Sequence, residues 1–199
     1  MPLRHQSKEA KRRRAAARRH VQRRRFRAVR FETLEDRRLL ATVTWDGGGD
    51  GQEWLDRFNW TGDTLPGSGD DAVIDVAANP TVRHSSGSTS VRSLVSHEAL
   101  VIAGGSLTVG NTSSTDAALA INSGATLRVQ AGACFDSSLI VSNGFTNHGT
   151  IELTNTNNCS TTATFTVTSG TLINAATGII AALVGTGGGS CGGRTAHRS

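Results

Sequence analysis

The 199-residue chain has no tyrosine, few large aromatic side chains and no long hydrophobic segment. Aromatic residues make up 5% of the sequence, tryptophan is absent after Trp60, and proline is absent after Pro80. The longest apolar runs, such as residues 179–184, are far shorter than the roughly 18 residues that a membrane span needs. The sequence therefore predicts no transmembrane segment. Its 23 glycines and scarcity of large side chains also argue against a helical bundle.

Charge is divided between a basic tail and an acidic body. Residues 1–38 carry 15 Lys and Arg against four acids, a net charge of +11, whereas residues 39–199 carry six Arg against 12 acids, a net charge of −6. This asymmetry is typical of a disordered or transiently helical tail attached to a folded unit. Clustered arginines bind phosphate, so residues 4–30 are a candidate polyanion or nucleic-acid site. A solvated or targeting tail is the favoured interpretation, because no nucleic-acid-binding motif adjoins the basic run.

A short motif follows the basic run, where residues 31–41 read Phe-Glu-Thr-Leu-Glu-Asp-Arg-Arg-Leu-Leu-Ala. It resembles the Leu-Glu-Pro-Arg-x-Leu-Leu segment at the start of many very large bacterial secreted and surface proteins, with Asp36 in place of proline. The resemblance implies an export or surface-sorting role for residues 1–41. An apolar stretch of the length found in standard signal peptides is missing after Arg30. The residues assigned to the sorting motif are Phe31, Leu34, Glu35, Arg37, Leu39 and Leu40.

All three tryptophans lie in residues 42–80, interleaved with aspartates, and this concentration predicts a hydrophobic cap. The pattern Trp-x-Asp-x-x-Asn-Trp, followed by Pro-Gly and Asp-Asp-x-x-x-Asp, resembles the start of surface-exposed parallel β-helix proteins and implies a cap and first coil. Asp46, Asp50 and Asp56 lie among glycines and are candidate calcium ligands. Because established calcium-loop spacings are missing, turn and capping carboxylates are the simpler interpretation. No other cofactor is expected.

The rest of the chain is rich in small polar residues, yet it alternates regularly. Over residues 101–170, 37 of 70 residues are Gly, Ser, Thr or Asn. Such a composition is compatible with disorder unless a period organises it. Polar and apolar residues alternate in four short segments, which predicts strands with one buried face. These segments are 106–109, 126–129, 150–153 and 164–167.

A longer period relates these strands to one another. A glycine precedes the apolar anchors Leu107, Leu127, Ile151 and Leu172, which are spaced by 20, 24 and 21 residues. Periods in this range are typical of solenoids, and a spacing near 22 fits one turn of a right-handed parallel β-helix. An antiparallel β-sandwich remains the alternative. The segments also resemble the repeats of bacterial adhesin and autotransporter-type passengers, which implies architecture more than activity.

The predicted organisation is all-β, with four consecutive parts. A basic export segment is followed by a Trp- and Asp-rich cap with the first coil, then by β-helix repeats, and finally by an irregular tail that abandons the repeat. Their limits are 1–41, 42–80, 81–187 and 188–199.

Few residues suggest chemistry. The three cysteines have no Cys-x-x-Cys spacing, so no zinc or other metal site is predicted among them. Cys134 and Cys159 are about one coil apart and form a candidate disulfide, with buried free thiols as the alternative. Adjacent coils of a β-helix can bring two carboxylates to the separation that glycoside hydrolysis needs, and Asp136 and Glu152 are the best such pair.

Together these features predict an exported structural or adhesive β-helix protein, or the N-terminal fragment of one. It would lie outside a bacterial cell or on its surface and bind extracellular polysaccharides or proteins. No catalytic residue is assigned, and the sequence gives no prediction of oligomeric state. A carbohydrate-active lyase or hydrolase is the first alternative. Binding of polyanions through the basic tail is the second.

Overall fold

The computed structural model describes residues 40–132, 135–156 and 161–183. These residues form short strands and two single turns of 3₁₀ helix, Arg57–Asn59 and Thr61–Asp63. Most strands are three to six residues long and alternate between buried and more exposed positions, as the period-two patterns predict. The strands are β1 (Thr42–Thr44), β2 (Asp71–Ile74), β3 (Thr81–His84), β4 (Ser88–Val91), β5 (Ser93–Ser96), β6 (Ala99–Ile102), β7 (Ser106–Val109), β8 (Thr112–Thr115), β9 (Leu119–Ile121), β10 (Thr126–Ala131), β11 (Ser137–Val141), β12 (Phe145–Asn147), β13 (Thr150–Asn155), β14 (Ala163–Val167), β15 (Leu172–Asn174) and β16 (Ile179–Ala182).

Successive strands along the chain belong to three parallel sheets in rotation. Sheet 1 has the order β1-β2-β5-β8-β11-β14, sheet 2 the order β3-β6-β9-β12-β15, and sheet 3 the order β4-β7-β10-β13-β16. Every ladder between these strands is parallel, so each set of three consecutive strands from β2 onward makes one coil. The parallel β-helix predicted from the sequence is confirmed, and the antiparallel sandwich is excluded.

The interior is a narrow column of aliphatic side chains. Leu107, Leu127 and Ile151 lie directly above one another in sheet 3 and are all buried, as the repeat spacing predicts. The residues that alternate with them along each strand, such as Thr126, face outward. Because each coil contributes few side chains to a slim interior, the body needs almost no aromatic residues.

The prediction that Leu172 is the fourth anchor of this column is wrong. Ile151 pairs with Ile180, whereas Leu172 lies in sheet 2 opposite Phe145. The reason is close backbone approach at a glycine. A Cβ atom at Gly178 would lie 2.4 Å from the Asn147 carbonyl oxygen, and Gly149 is equally crowded one coil earlier. The register therefore follows Gly149 and Gly178 and not the glycine before Leu172.

Two stacked asparagine amides lie beside the aliphatic side chains of the interior. Asn147 is fully buried, and its Nδ2 donates to Asn174 Oδ1 of the next coil at 2.8 Å. The same amide group accepts from Gly149 N and donates to the Gly149 carbonyl oxygen. This pair satisfies buried backbone groups where the chain turns.

We expect Leu127→Ala to lower the free energy of unfolding by about 2–5 kcal/mol, because it leaves a cavity between two stacked neighbours. Ile173→Ala is the matched control, since Ile173 is 56% exposed. Its effect should stay within about 0.5 kcal/mol. Urea denaturation followed by circular dichroism measures both, and equal losses for the two variants would contradict a core built around this column.

Candidate functional site

The three tryptophans of the segment predicted as a cap, residues 42–80, pack against one another. Trp45, Trp54 and Trp60 are buried, and Trp60 makes edge-to-face contacts with the other two at ring-centroid distances of 5.0 and 4.8 Å. The Trp60 Nε1 donates to the Trp54 carbonyl oxygen at 2.8 Å. Backbone bonds join the cap to β3, where Trp54 N donates to the Arg83 carbonyl oxygen and Arg83 N to that of Gln52. The cap thereby covers the first strand of sheet 2.

A buried asparagine organises the glycine- and aspartate-rich loop beside these rings. Asn59 Oδ1 accepts from Gly49 N and Gly51 N at 3.0 and 2.8 Å. Its Nδ2 donates to Asp50 Oδ1 and to the Glu53 carbonyl oxygen at 2.8 and 2.9 Å. All four hydrogen-bonding positions of the amide are used, so Asn59 fixes the path of residues 49–53. Asn59 is the asparagine of the Trp-x-Asp-x-x-Asn-Trp pattern, although the sequence did not assign it this structural role.

The three candidate calcium ligands lie in this loop and accept hydrogen bonds from backbone amides. Asp46 Oδ1 accepts from Gly48 N, and Asp56 accepts from the backbone N–H groups of Asp50 and Phe58. Asp50 Oδ1 accepts from two backbone amides and from Asn59. Within residues 40–132, 135–156 and 161–183, no group of three or more His, Cys, Asp or Glu side chains is arranged to hold a metal ion. This geometry fits turn and capping roles, and calcium binding stays a hypothesis.

Hydrogen bonds hold the pKa of Asp50 below its ordinary value. The backbone N–H of Gln52 has the largest effect, followed by the N–H of Glu53 and the amide of Asn59. A lowered folded-state pKa stabilises the fold above the unfolded-state pKa, and this contribution is lost as pH falls through the lowered value.

We therefore expect Asp50→Asn to reduce the acid sensitivity of the protein. Thermal melts between neutral pH and about pH 2 should show a smaller fall in melting temperature for the variant than for the wild type. Asp46→Asn is the control, because Asp46 accepts one backbone hydrogen bond where Asp50 accepts two. A variant that loses as much stability in acid as the wild type would contradict the assignment.

A second set of ionisable side chains lies where sheet 1 turns into sheet 2. His97 Nδ1 and Asp116 Oδ2 are 2.6 Å apart on neighbouring coils, and both side chains are about half exposed. The hydrogen bond and charge of Asp116 raise the pKa of His97, with smaller contributions from Asp75 and Glu98. A raised pKa stabilises the fold below the ordinary histidine pKa, and that contribution is lost as pH rises through the raised value.

We expect Asp116→Asn to lower the pKa of His97, because the substitution removes the opposite charge. Titration of the His97 ring signals by NMR measures this change directly. Glu152→Gln serves as the control, since Glu152 pairs with Arg128 elsewhere on the surface. An unchanged titration of His97 in Asp116→Asn would contradict the pairing.

A concave surface lies at the corner where sheet 3 turns into sheet 1. The corner connections lengthen from coil to coil and contain one, two, five and seven residues. The two short ones, Arg92 and Gly110–Asn111, come before the two longer ones, and a groove of about 600 Å³ lies at this corner. We call it the corner groove; it is lined by Leu40, Ser90, Arg92, Thr108, Gln130 and Phe135 among others.

Glycines keep the floor of the corner groove open. A Cβ atom at Gly110 would lie 3.0 Å from the Arg92 carbonyl oxygen, and one at Gly132 would lie 2.8 Å from Thr156 Oγ1. The groove was not predicted from the sequence. Its only sequence signal is the increase in repeat spacing from 20 to 24 residues, which places inserted residues at one corner.

The carboxylates considered for glycoside hydrolysis have structural partners. Glu152 Oε2 accepts from Arg128 Nη2 at 2.9 Å on the outer face of sheet 3. Asp136 Oδ1 accepts from Thr162 N at 2.7 Å and connects two corner segments. Neither residue lines the corner groove.

Several predicted residues lie outside the described part of the chain. They include both members of the candidate disulfide, Cys134 and Cys159, the basic residues of 4–30, and the sorting-motif residues from Phe31 to Leu39. Leu40, the last residue of that motif, is described; it is 66% exposed and lines the corner groove.

Comparison with protein-family models, curated proteins and solved structures gives no match for this chain. In the part of the chain that the structure describes, no helix is both long and apolar enough to cross a membrane.

Proposed function

We propose that this chain is an exported, non-catalytic β-helix module of a bacterial cell surface, with a structural and adhesive role. The observation that carries the proposal is the continuous parallel ladder, in which five coils repeat the same three-strand path behind a tryptophan-rich cap. With strands about 4.8 Å apart, such a stack presents three parallel sheet surfaces along its axis.

Rows of hydroxyl groups on the outer face support the adhesive role. Ser88, Ser106, Thr126 and Thr150 occupy one column of sheet 3, and Ser106 Oγ donates to Ser88 Oγ at 3.0 Å. Repetition along the axis places identical hydrogen-bonding groups at regular intervals, an arrangement suited to an extended partner such as a polysaccharide or a protein surface.

The non-catalytic assignment is supported by how the acidic side chains are used. Asp71 binds Arg92 and Ser93, Glu152 binds Arg128, and Asp136 binds a backbone amide. General acid–base catalysis requires such a group to face a substrate, whereas these carboxylates connect neighbouring coils.

The export role assigned to residues 1–41 rests on the sequence resemblance and can be tested in the host bacterium. We expect the full chain, with a C-terminal epitope tag, to reach the outside of the cell, so that the tag is cleaved by protease added to intact cells. Replacing Leu39 and Leu40 by Asp should retain the chain inside. Phe135→Ala, outside the motif, is the control and should be exported normally. Full-length wild-type protein that fractionates with the cytoplasm would overturn the proposal.

A further inference from the structure

The corner groove has the dimensions of a ligand site. Its volume of about 600 Å³ lies within the range of roughly 300–1,000 Å³ found for small-molecule sites. It extends over four levels of the ladder, from Arg92 after the first coil to Thr156 after the fourth. Three steps of about 4.8 Å give a length of about 14 Å, which suits a short chain of linked units better than a single compact molecule.

Hydrogen-bonding groups in the groove are free to serve a ligand. Within the described residues, the side chains of Ser90, Thr108, Asn111, Gln130 and Thr156 make no hydrogen bond to other protein groups, although all five line the groove. Hydroxyl and amide groups both donate and accept, so together they match a ligand whose own groups do the same. Ser137, which also lines the groove, donates to the Gln130 carbonyl oxygen. Elsewhere on the ladder, comparable side chains bind each other or the backbone, as Ser106 and Ser96 do.

The groove offers no net charge for a charged ligand. Arg92 is the single charged residue among the described residues that line it, and its Nη2 already donates to the carboxylate of Asp71. Its Nε is buried without a hydrogen-bond partner in the described structure. A polyanion would meet one neutralised guanidinium, and a cation would meet no carboxylate. The lining therefore favours a neutral ligand.

Exposed apolar side chains stand among these polar groups. Phe135 is 64% exposed and Leu40 is 66% exposed, and both border the groove. The backbone N–H of Phe135 donates to the Gly132 carbonyl oxygen at 2.9 Å. An exposed ring beside hydroxyl and amide groups matches a molecule with an apolar face and a polar rim.

We propose that the corner groove binds a neutral oligosaccharide, with Phe135 packed against the C–H face of one sugar ring and Gln130, Asn111 and Thr108 bonded to sugar hydroxyls. This inference names a ligand class for the adhesive role proposed above and rests on that role. Because none of the described residues that line the groove carries a carboxylate, we expect the bound sugar to be held and not hydrolysed.

Binding can be tested with the full chain labelled with ¹⁵N and titrated with cellohexaose, maltohexaose, chitohexaose and, as the acidic comparison, hexagalacturonate. We expect at least one neutral sugar to shift the amide signals of Gly110, Asn111, Gly132 and Phe135 saturably. The inference is overturned if none of the neutral sugars saturates these signals, or if hexagalacturonate binds there more tightly than all of them.

Two variants make the test specific. Phe135→Ala should weaken binding about fivefold or more, because it removes the apolar platform. Phe58→Ala is the matched control, since Phe58 is also an exposed phenylalanine but lies in the cap outside the groove. Both sites are exposed, so both variants should keep the wild-type melting temperature. Equal affinities of Phe135→Ala and the wild type would refute the assigned role.

The outcomes separate this inference from the proposed function. If the protein reaches the cell surface but binds no sugar, the groove inference is wrong and the export proposal stands. If the purified chain binds a neutral sugar but the protein fractionates with the cytoplasm, the groove inference stands and the export proposal is wrong.

Discussion

Backbone hydrogen bonds between successive coils hold each inner strand between one parallel partner above and another below. This pairing aligns residues of equal position, so Leu107, Leu127 and Ile151 come into one column although 20 and 24 residues separate them. A shift of one residue in any coil would turn its buried side chains outward and its serines and threonines inward. The narrow interior, the outward rows of hydroxyls and the corner groove all depend on this register.

The two ends of the ladder differ in how far their apolar side chains are buried in the described structure. At the N-terminal end, three tryptophans cover the interior, and Asn59 holds the loop around them. At the other end, the fifth coil exposes Ile173, Ile179 and Ile180, although Ile180 occupies the column in which Ile151 is buried. Large aromatic side chains are concentrated where a single layer must shield the interior from water, because a cap has no further coil to pack against.

The sequence predicted the architecture well because alternation and long-period spacing are properties of individual strands and coils. It failed at Leu172, since Gly170 and Gly178 both precede an apolar strand, and only the strand pairing shows that Ile180, after Gly178, continues the column. Asp46, Asp50 and Asp56 were grouped correctly in one loop, but only their backbone partners show how they stabilise it. The corner groove was not predictable, because connection lengths become visible only after every strand has been assigned to a sheet.

The connections from sheet 3 to sheet 1 lengthen from coil to coil. We propose that the corner groove beside them binds a ligand, whereas the ladder provides stability. Strand pairing ends at Val91, Val109 and Ala131, and the groove is shaped by the connections that follow them together with outward-facing strand residues such as Thr108 and Gln130. Insertions and deletions at this corner alter the depth and chemistry of the recess without disturbing the ladder. Such a scaffold can acquire new binding preferences by changing loop residues and outward-facing strand residues, while selection on its folding acts on the inward-facing positions.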